Sequence, residues 1–215
     1  MNLVLFGPPG AGKGTQGTVL AETRGMLKIS TGDILRDAAR AGTPLGIEAK
    51  QYMEAGELVP DPVILGLVRE AIEGASAAQG FIMDGFPRTI PQAEGVDAML
   101  AEIGRPIDAV VVLDVDDDEL IKRLSGRRSC PNCGSVFNLF FDPPKNNERC
   151  DRCGADLVQR ADDNRDIVVR RLAVYKQQTA PIIAYYEAHG VPVRHLAGDR
   201  PINEVQANIL RIVDR

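Results

Sequence analysis

Gly7-Pro8-Pro9-Gly10-Ala11-Gly12-Lys13-Gly14-Thr15 follows the apolar run Leu3-Val4-Leu5-Phe6, and this junction decides how the rest of the chain is read. Its glycines allow the backbone to curl so that successive N–H groups point inward, and a helix starting near Lys13 adds the positive end of its dipole at the same spot. The result is a phosphate cradle, with Lys13 as its mobile point charge. The spacing fits G-x-x-x-x-G-K-[ST] except that Gly14 stands directly after the lysine and the hydroxyl comes one step later, at Thr15. A hydroxyl in the usual place would ligate Mg²⁺ directly, so a metal here is expected to be held more by phosphate oxygens and water.

Composition narrows the surroundings of that cradle. The chain has 215 residues, 44% hydrophobic and 26% charged, enough for one principal domain with insertions. A net charge of −5 argues against nucleic acid as the partner. Neither a membrane span nor a signal peptide is expected, since no apolar stretch is long enough and the loop already begins at residue 7. The expected address is the cytoplasm, and the expected state a monomer.

Beyond the loop, Lys13 to Arg24 reads as a three-turn helix and Met26 to Ile29 as a second strand. Ser30-Thr31-Gly32-Asp33 is a helix cap, and two short helices punctuated by Gly42, Pro44 and Gly56 form an insertion before Pro60. Asp61-Pro62 starts a helix that is expected to end near Gly74. Phe81-Ile82-Met83 is a short buried strand ending in Asp84, an acid placed to orient the water shell of Mg²⁺. Asp114, after the strand Val110 to Leu113, is the competing candidate, while Asp116, Asp117 and Asp118 are better explained as the acidic first turn of a helix running to Leu124. Arg123 and Arg127 stand four apart and share a helix face if that helix continues far enough. The remainder reads as a helix to about Gln178, a break at Pro181, a continuation to His189, a strand Val191 to Leu196 and a final helix from Ile202. His189 and His195 have no acid or thiol near them in sequence and read as structural or exposed.

The segment from Arg127 to Asp163 has a different texture. Cys130-Pro-Asn-Cys133-Gly and Cys150-Asp-Arg-Cys153-Gly make a C-x2-C-x16-C-x2-C pattern, the spacing of a tetrahedral four-cysteine Zn²⁺ site. Four thiolates close the coordination shell, so the zinc would be structural. A thioredoxin-like redox role fits duplicated knuckles poorly, and metal-free thiols are the remaining alternative. Residues 127–160 carry six basic against four acidic side chains, too even a balance for a nucleic-acid zinc ribbon.

Gly7 to Thr15, Ser30 to Asp33, Asp84-Gly85-Phe86-Pro87-Arg88 with Gln92, and the later arginines together resemble the adenylate kinases along essentially the whole chain. The resemblance implies a P-loop kinase core of α/β class, with a five-stranded parallel sheet flanked by helices (1–29, 60–126 and 164–215). It implies a helical insertion for the nucleoside monophosphate at 30–59 and a zinc-ribbon-like lid at 127–163. It further implies Mg²⁺-dependent transfer between ATP and AMP. On this resemblance ATP would lie against Gly10, Ala11, Gly12, Lys13, Gly14, Thr15, Arg123, Arg127, Val136, Phe137 and the backbone near Arg200. AMP would lie against Thr31, Arg36, the backbone of Glu57, Leu58 and Val59, and Gly85, Phe86, Pro87, Arg88 and Gln92, with Arg160 and Arg171 alongside. Lys13, Asp84, Arg88, Arg123, Arg160 and Arg171 would serve the transfer itself. The chemistry agrees independently, because guanidinium forks suit phosphate and an amide can read an adenine edge. Asn164-Arg165-Asp166 departs from the more acidic run usual in the family and leaves the partners of Asp162 and Asp163 open. The alternatives are a kinase for another nucleoside monophosphate, a nucleotide-gated switch, which would need an absent N-K-x-D segment, and a zinc-ribbon module that binds nucleotide without turnover.

Overall fold

The computed structural model describes residues 1–73, 80–146 and 148–214. In chain order its elements are β1 (Asn2–Phe6), α1 (Lys13–Arg24), β2 (Leu27–Ser30), α2 (Thr31–Arg40), α3 (Pro44–Ala55), α4 (Asp61–Glu73), β3 (Phe81–Asp84), α5 (Ile90–Glu102) and β4 (Ala109–Asp114). They continue as α6 (Asp117–Gly126), β5 (Arg127–Ser129), β6 (Val136–Asn138), α7 (Arg165–Val174), α8 (Pro181–Ala188), β7 (Val193–Ala197) and α9 (Ile202–Val213). Gly74, the expected end of α4, lies outside the described residues.

Five strands form one parallel sheet in the order β2-β3-β1-β4-β7. β1 is the centre, where successive connections turn to opposite sides, so its carboxyl end is the switch point at which open α/β sheets bind ligands. Between Asn2 at the start of β1 and the acids Asp84 and Asp114 that end β3 and β4, the central strands are apolar because helices cover both faces. Alternation along β1 sends Val4 and Phe6 into one cluster with Met83, Phe86, Val110, Val112 and Tyr186. It sends Leu3 and Leu5 into the other, with Leu20, Ile82, Val111, Leu120 and Ile209.

Local chemistry starts the helices. Ser30 Oγ accepts from the N–H of Asp33, Thr43 Oγ1 from Gly46, Thr89 Oγ1 from Gln92 and Asn164 Oδ1 from Asp166, at 3.4, 3.1, 3.2 and 3.0 Å. Proline stands in the first turn of α3, α5 and α8.

Several boundaries differ from the sequence reading. β2 starts at Leu27, not Met26, and the Met26 side chain is buried in the second cluster. β7 starts at Val193, because the N–H of Val191 is spent on Tyr186 O at 3.0 Å and Pro192 has none to give. The helix expected to reach Gln178 instead changes at Tyr175 into a wider π-type turn over Tyr175–Thr179, where Thr179 Oγ1 donates to Arg88 O at 2.9 Å. α6 stops at Gly126, so Arg123 and Arg127 do not share a helix face. Arg127 opens β5 opposite Asn138, and a Cβ at position 126 would fall 2.5 Å from the Phe140 ring that crosses there.

Candidate active site

The loop 7–15 leaves the carboxyl end of β1 through glycines at φ +140°, +89° and +96° (Gly7, Gly10 and Gly12). Gly7 has a second constraint, since a Cβ there would lie 2.7 Å from Leu113 O. No side chain fits both demands. α1 then begins at Lys13 with its first amides facing the loop. Lys13 Nζ donates to Gly7 O and Pro8 O at 2.7 and 2.9 Å, which holds it across the mouth of the loop. Burial brings its pKa down from 10.5 to about 7, against a partial restoring pull from Asp84 and with a further push from Arg88, Arg171 and Arg127.

The same neighbours define the rest of the site. Arg88 is brought down to about 10, first by burial and then by Arg171 and Arg36. Arg160 falls to about 9, by burial and then by Arg127 and Arg36. Burial is also the leading cause of the lowered pKa of Arg171, which Asp162 and Asp163 offset in part. Lys13, Arg88, Arg160 and Arg171, with Arg36 and Arg127 acting on them, therefore converge at the carboxyl edge of the sheet, in surroundings that penalise the charges of the first four. A polyanion relieves that penalty.

Fixed acids hold part of this array in place. Asp163, 1% exposed, accepts from Arg127 Nε and Nη2 at 2.8 and 2.5 Å and from Arg171 Nη1 at 3.3 Å. Asp162 pairs with Arg171 at 2.8 Å. These are the partners that sequence left open. Arg160 Nε donates to Ser129 Oγ at 2.9 Å, and Arg36 Nη2 to Asp33 Oδ1 at 2.5 Å. Burial is the leading influence on Asp33 and raises its pKa, but Arg36, Lys28 and Ser30 together outweigh it and the net value is about 2.

The remaining predicted residues fall into three groups. Around Arg88, Thr31 Oγ1 donates to Gly85 O at 3.3 Å and Phe86 is 1% exposed. Pro87 follows, and Gln92 Oε1 accepts from the N–H of Arg88 at 2.7 Å. Gln92 Nε2 is spent on Asp61 at 2.7 Å, so the amide braces this turn. After α3, Glu57 is exposed and pairs with Arg170 at 2.9 Å, Leu58 is half-buried, and Val59 is buried in the first cluster. Arg123 is placed by α6, donating to Gly198 O at 2.8 Å and to Glu119 at 3.0 Å, with its guanidinium carbon 5.6 Å from the centre of the Phe141 ring. Val136 and Phe137 lie on β6 opposite Ser129 and Arg128, and Arg200 is exposed in the turn before α9.

Asp84 and Asp114 separate cleanly. Asp84 is 8% exposed and lies beside the loop, its Oδ2 only 3.4 Å from where a Cβ of Gly14 would be. Its one ion pair among the described residues is with Lys28 at 3.5 Å. A nearly buried carboxylate with acceptor capacity to spare, facing a phosphate loop, fits hydrated Mg²⁺. Asp114 is exposed and 2.8 Å from His195 Nδ1. The sequence reading gave His195 no acid, because only the pairing of β4 with β7 sets Val112 opposite His195 and brings Asp114 within reach.

The four cysteine sulfurs all lie within 4.8 Å of one another. Sulfurs at about 2.3 Å from a tetrahedral zinc stand about 3.8 Å apart, so the cluster fits that ion. Hydrogen bonding from the Ser135 side chain pulls Cys133 down to about 6, and burial pushes Cys130 up to about 11. The knuckle touches the other insertion through Arg40, whose Nη1 donates to Pro131 O.

Lys28 is the functional candidate that the sequence reading missed. The available signal was a lysine inside the otherwise apolar stretch Met26 to Ile29.

Comparison with known proteins bears on this geometry. Residues 5–191 match the family model described as adenylate kinase. A protein named adenylate kinase from Trichlorobacter lovleyi is 53% identical over 97% of each chain. Another from a Geobacillus species is 50% identical over 99% of this chain and 98% of its own. One from Archaeoglobus fulgidus is 47% identical over 100% of this chain and 99% of its own.

Proposed function

The chain belongs to the adenylate kinase family and is accordingly a phosphotransferase, and we propose from that premise that it catalyses ATP + AMP ⇌ 2 ADP as a cytoplasmic monomer acting on small molecules, with neither nucleic acid nor membrane as partner. Among the described residues no helix is long and apolar enough to cross a membrane. The observation that carries the reading is the convergence of Arg88, Arg127 and Arg171 on Lys13 at the carboxyl edge of the sheet, with Arg36 and Arg160 close behind them.

In this reading residues 1–29, 60–126 and 164–215 are the catalytic core, 30–59 receives AMP, and 127–163 is the lid over ATP. Gly10, Ala11, Gly12, Gly14 and Thr15 offer backbone amides to the ATP phosphates, and Lys13 adds countercharge where the bridging oxygen leaves. Arg123, Arg127, Val136, Phe137 and the backbone at Arg200 hold the rest of ATP. Arg36 and Arg88 grip the acceptor phosphate. Thr31, the backbone of Glu57, Leu58 and Val59, and Gly85, Phe86, Pro87 and Gln92 shape the site around the AMP base and sugar. Arg123, Arg160 and Arg171 neutralise charge spread over the transferred group. The site supplies position and charge, and needs no covalent nucleophile. Mg²⁺, held by Asp84 through water, would supply further countercharge to the phosphate oxygens when nucleotide is bound.

The direct test is a panel of nucleoside monophosphates offered with Mg-ATP, scored for diphosphate formation. AMP is expected to be the best acceptor. Absence of diphosphate from every acceptor overturns the reading.

Lys13 gives the site a proton signature. Its folded value of about 7 lies below its ordinary 10.5, so between those pH values the unfolded chain holds more protons and the ligand-free protein gains stability as pH rises. Below about pH 7 both states are protonated and the cost of the buried charge is present in full. Phosphate oxygens restore the charge, so at pH 8.5 Mg-ATP binding is expected to take up close to one proton. Calorimetry in buffers of different ionisation enthalpy measures this, and heats that do not depend on buffer count against it.

We also assign Cys130, Cys133, Cys150 and Cys153 to a structural Zn²⁺. Chelation or Cys130→Ser should lower the melting temperature by about 10 °C, since metal binding folds a segment with little core of its own. Phosphoryl transfer at a permissive temperature should survive. Complete loss of transfer with the fold intact would make the metal catalytic.

A further inference from the structure

Lys28 sits where the P-loop departs from its usual form. Its side chain climbs the face of the sheet covered by α1, and its Cε and Cδ pass 3.4 and 3.7 Å from the place a Cβ of Gly17 would occupy. A larger residue at 17 would crowd that path. At the top, Nζ donates to Thr18 Oγ1 at 3.1 Å and to Gly14 O at 3.3 Å. The same ammonium lies 3.5 Å from Asp84 Oδ2 and 3.8 Å from Asp33 Oδ2. It is also 4.0 Å from where a Cβ of Gly14 would stand, the position at which P-loops ordinarily place a metal-binding hydroxyl. This chain thus has no hydroxyl there and sets a cation between the two acids beside the gap.

We propose that Lys28 is a resident counter-cation of the Mg²⁺ subsite, a positioning residue that holds Asp84 and Asp33 before nucleotide arrives and opposes the metal's use of them. Affinity for the metal is then set mainly by the nucleotide's phosphates. The physical basis is competition for the same carboxylate oxygens, sharpened by repulsion between like charges in a notch where the Lys28 side chain is only 19% exposed. The inference rests on the phosphotransferase reading above, because ATP is what brings the metal.

The test compares ATP affinity with and without Mg²⁺ by calorimetry at low salt, on zinc-loaded protein in buffers freed of divalent cations. In Lys28→Met the ratio of the two affinities should rise about tenfold over the unsubstituted protein, the scale of one partly screened ion–ion repulsion. Lys28→Gln should show the same rise, which keeps the test open should the methionine variant fail to fold. Lys28→Arg preserves the charge and should leave the ratio unchanged. A merely structural lysine would weaken both affinities together and leave the ratio where it was. Adding Asp84→Asn to Lys28→Met should abolish the gain. An unchanged ratio in Lys28→Met and Lys28→Gln, or a gain that persists without Asp84, overturns the proposal. If the unsubstituted protein fails to bind ATP, the phosphotransferase reading falls first.

Discussion

Replacing Lys13 by alanine is expected to lower kcat for phosphoryl transfer by about a thousandfold while the fold survives, because one preorganised countercharge is worth that much in a low-dielectric site. The loop itself should tolerate the change. Its shape is set mainly by glycines at positive φ and by the close approach of Gly7 to Leu113 O, with the bonds of Lys13 to Gly7 O and Pro8 O as an addition to them. The substitution even removes a charge that burial penalises, so the ligand-free melting temperature should hold steady or rise at neutral pH. Steady-state kinetics and a melting curve measured on the same sample decide the matter. A kcat within tenfold of the unsubstituted protein would remove Lys13 from the transfer step.

Replacing residues 130–157 with a short flexible linker should cut transfer at least a hundredfold, on the order of what correct positioning contributes, while Mg-ATP still binds the loop. The expectation rests on the proposed reading of residues 127–163 as a lid that closes over ATP. What the present chain adds is the placement of the charges. Arg36 comes from α2, Arg88 from the turn before α5, Arg123 from α6, Arg127 from β5, Arg160 from the turn before α7 and Arg171 from α7. No single rigid element carries them all. In the structure α2 and the first cysteine knuckle meet through Arg40 and Pro131, and Glu57 reaches Arg170 of α7. Transfer should therefore require both insertions to be drawn in, and ATP alone should be hydrolysed on the order of a thousandfold more slowly than it is transferred to AMP. ADP release with and without AMP, for both proteins, measures this. Equal rates in the intact protein, or normal transfer in the shortened one, would sink the closing mechanism.

The features legible in the sequence were those whose physics is local. A phosphate loop is a run of glycines and a lysine between a strand and a helix, and its geometry is fixed within nine residues. The cap at Ser30 acts over three residues. The cysteine knuckles announce themselves as two close pairs, although only the fold brings all four sulfurs within 4.8 Å. Buried strands such as Phe81 to Asp84 read directly from their apolar runs. Tertiary structure decided what depends on strand order and on where a helix stops. Gly126 ends α6 one residue before Arg127, and that single residue sends the guanidinium to Asp163 instead of along the helix toward Arg123. Asp114 meets His195 only because β4 and β7 are neighbours, 81 residues apart in sequence. Lys28 reaches Asp84 only because β2 pairs with β3 in a register that sets Ser30 against Asp84. An arginine or lysine in sequence is a charge without an address. Its address came from the buried corner at the carboxyl edge of the sheet into which strand pairing and packing gathered it, where like charges are close and a polyanion would relieve them.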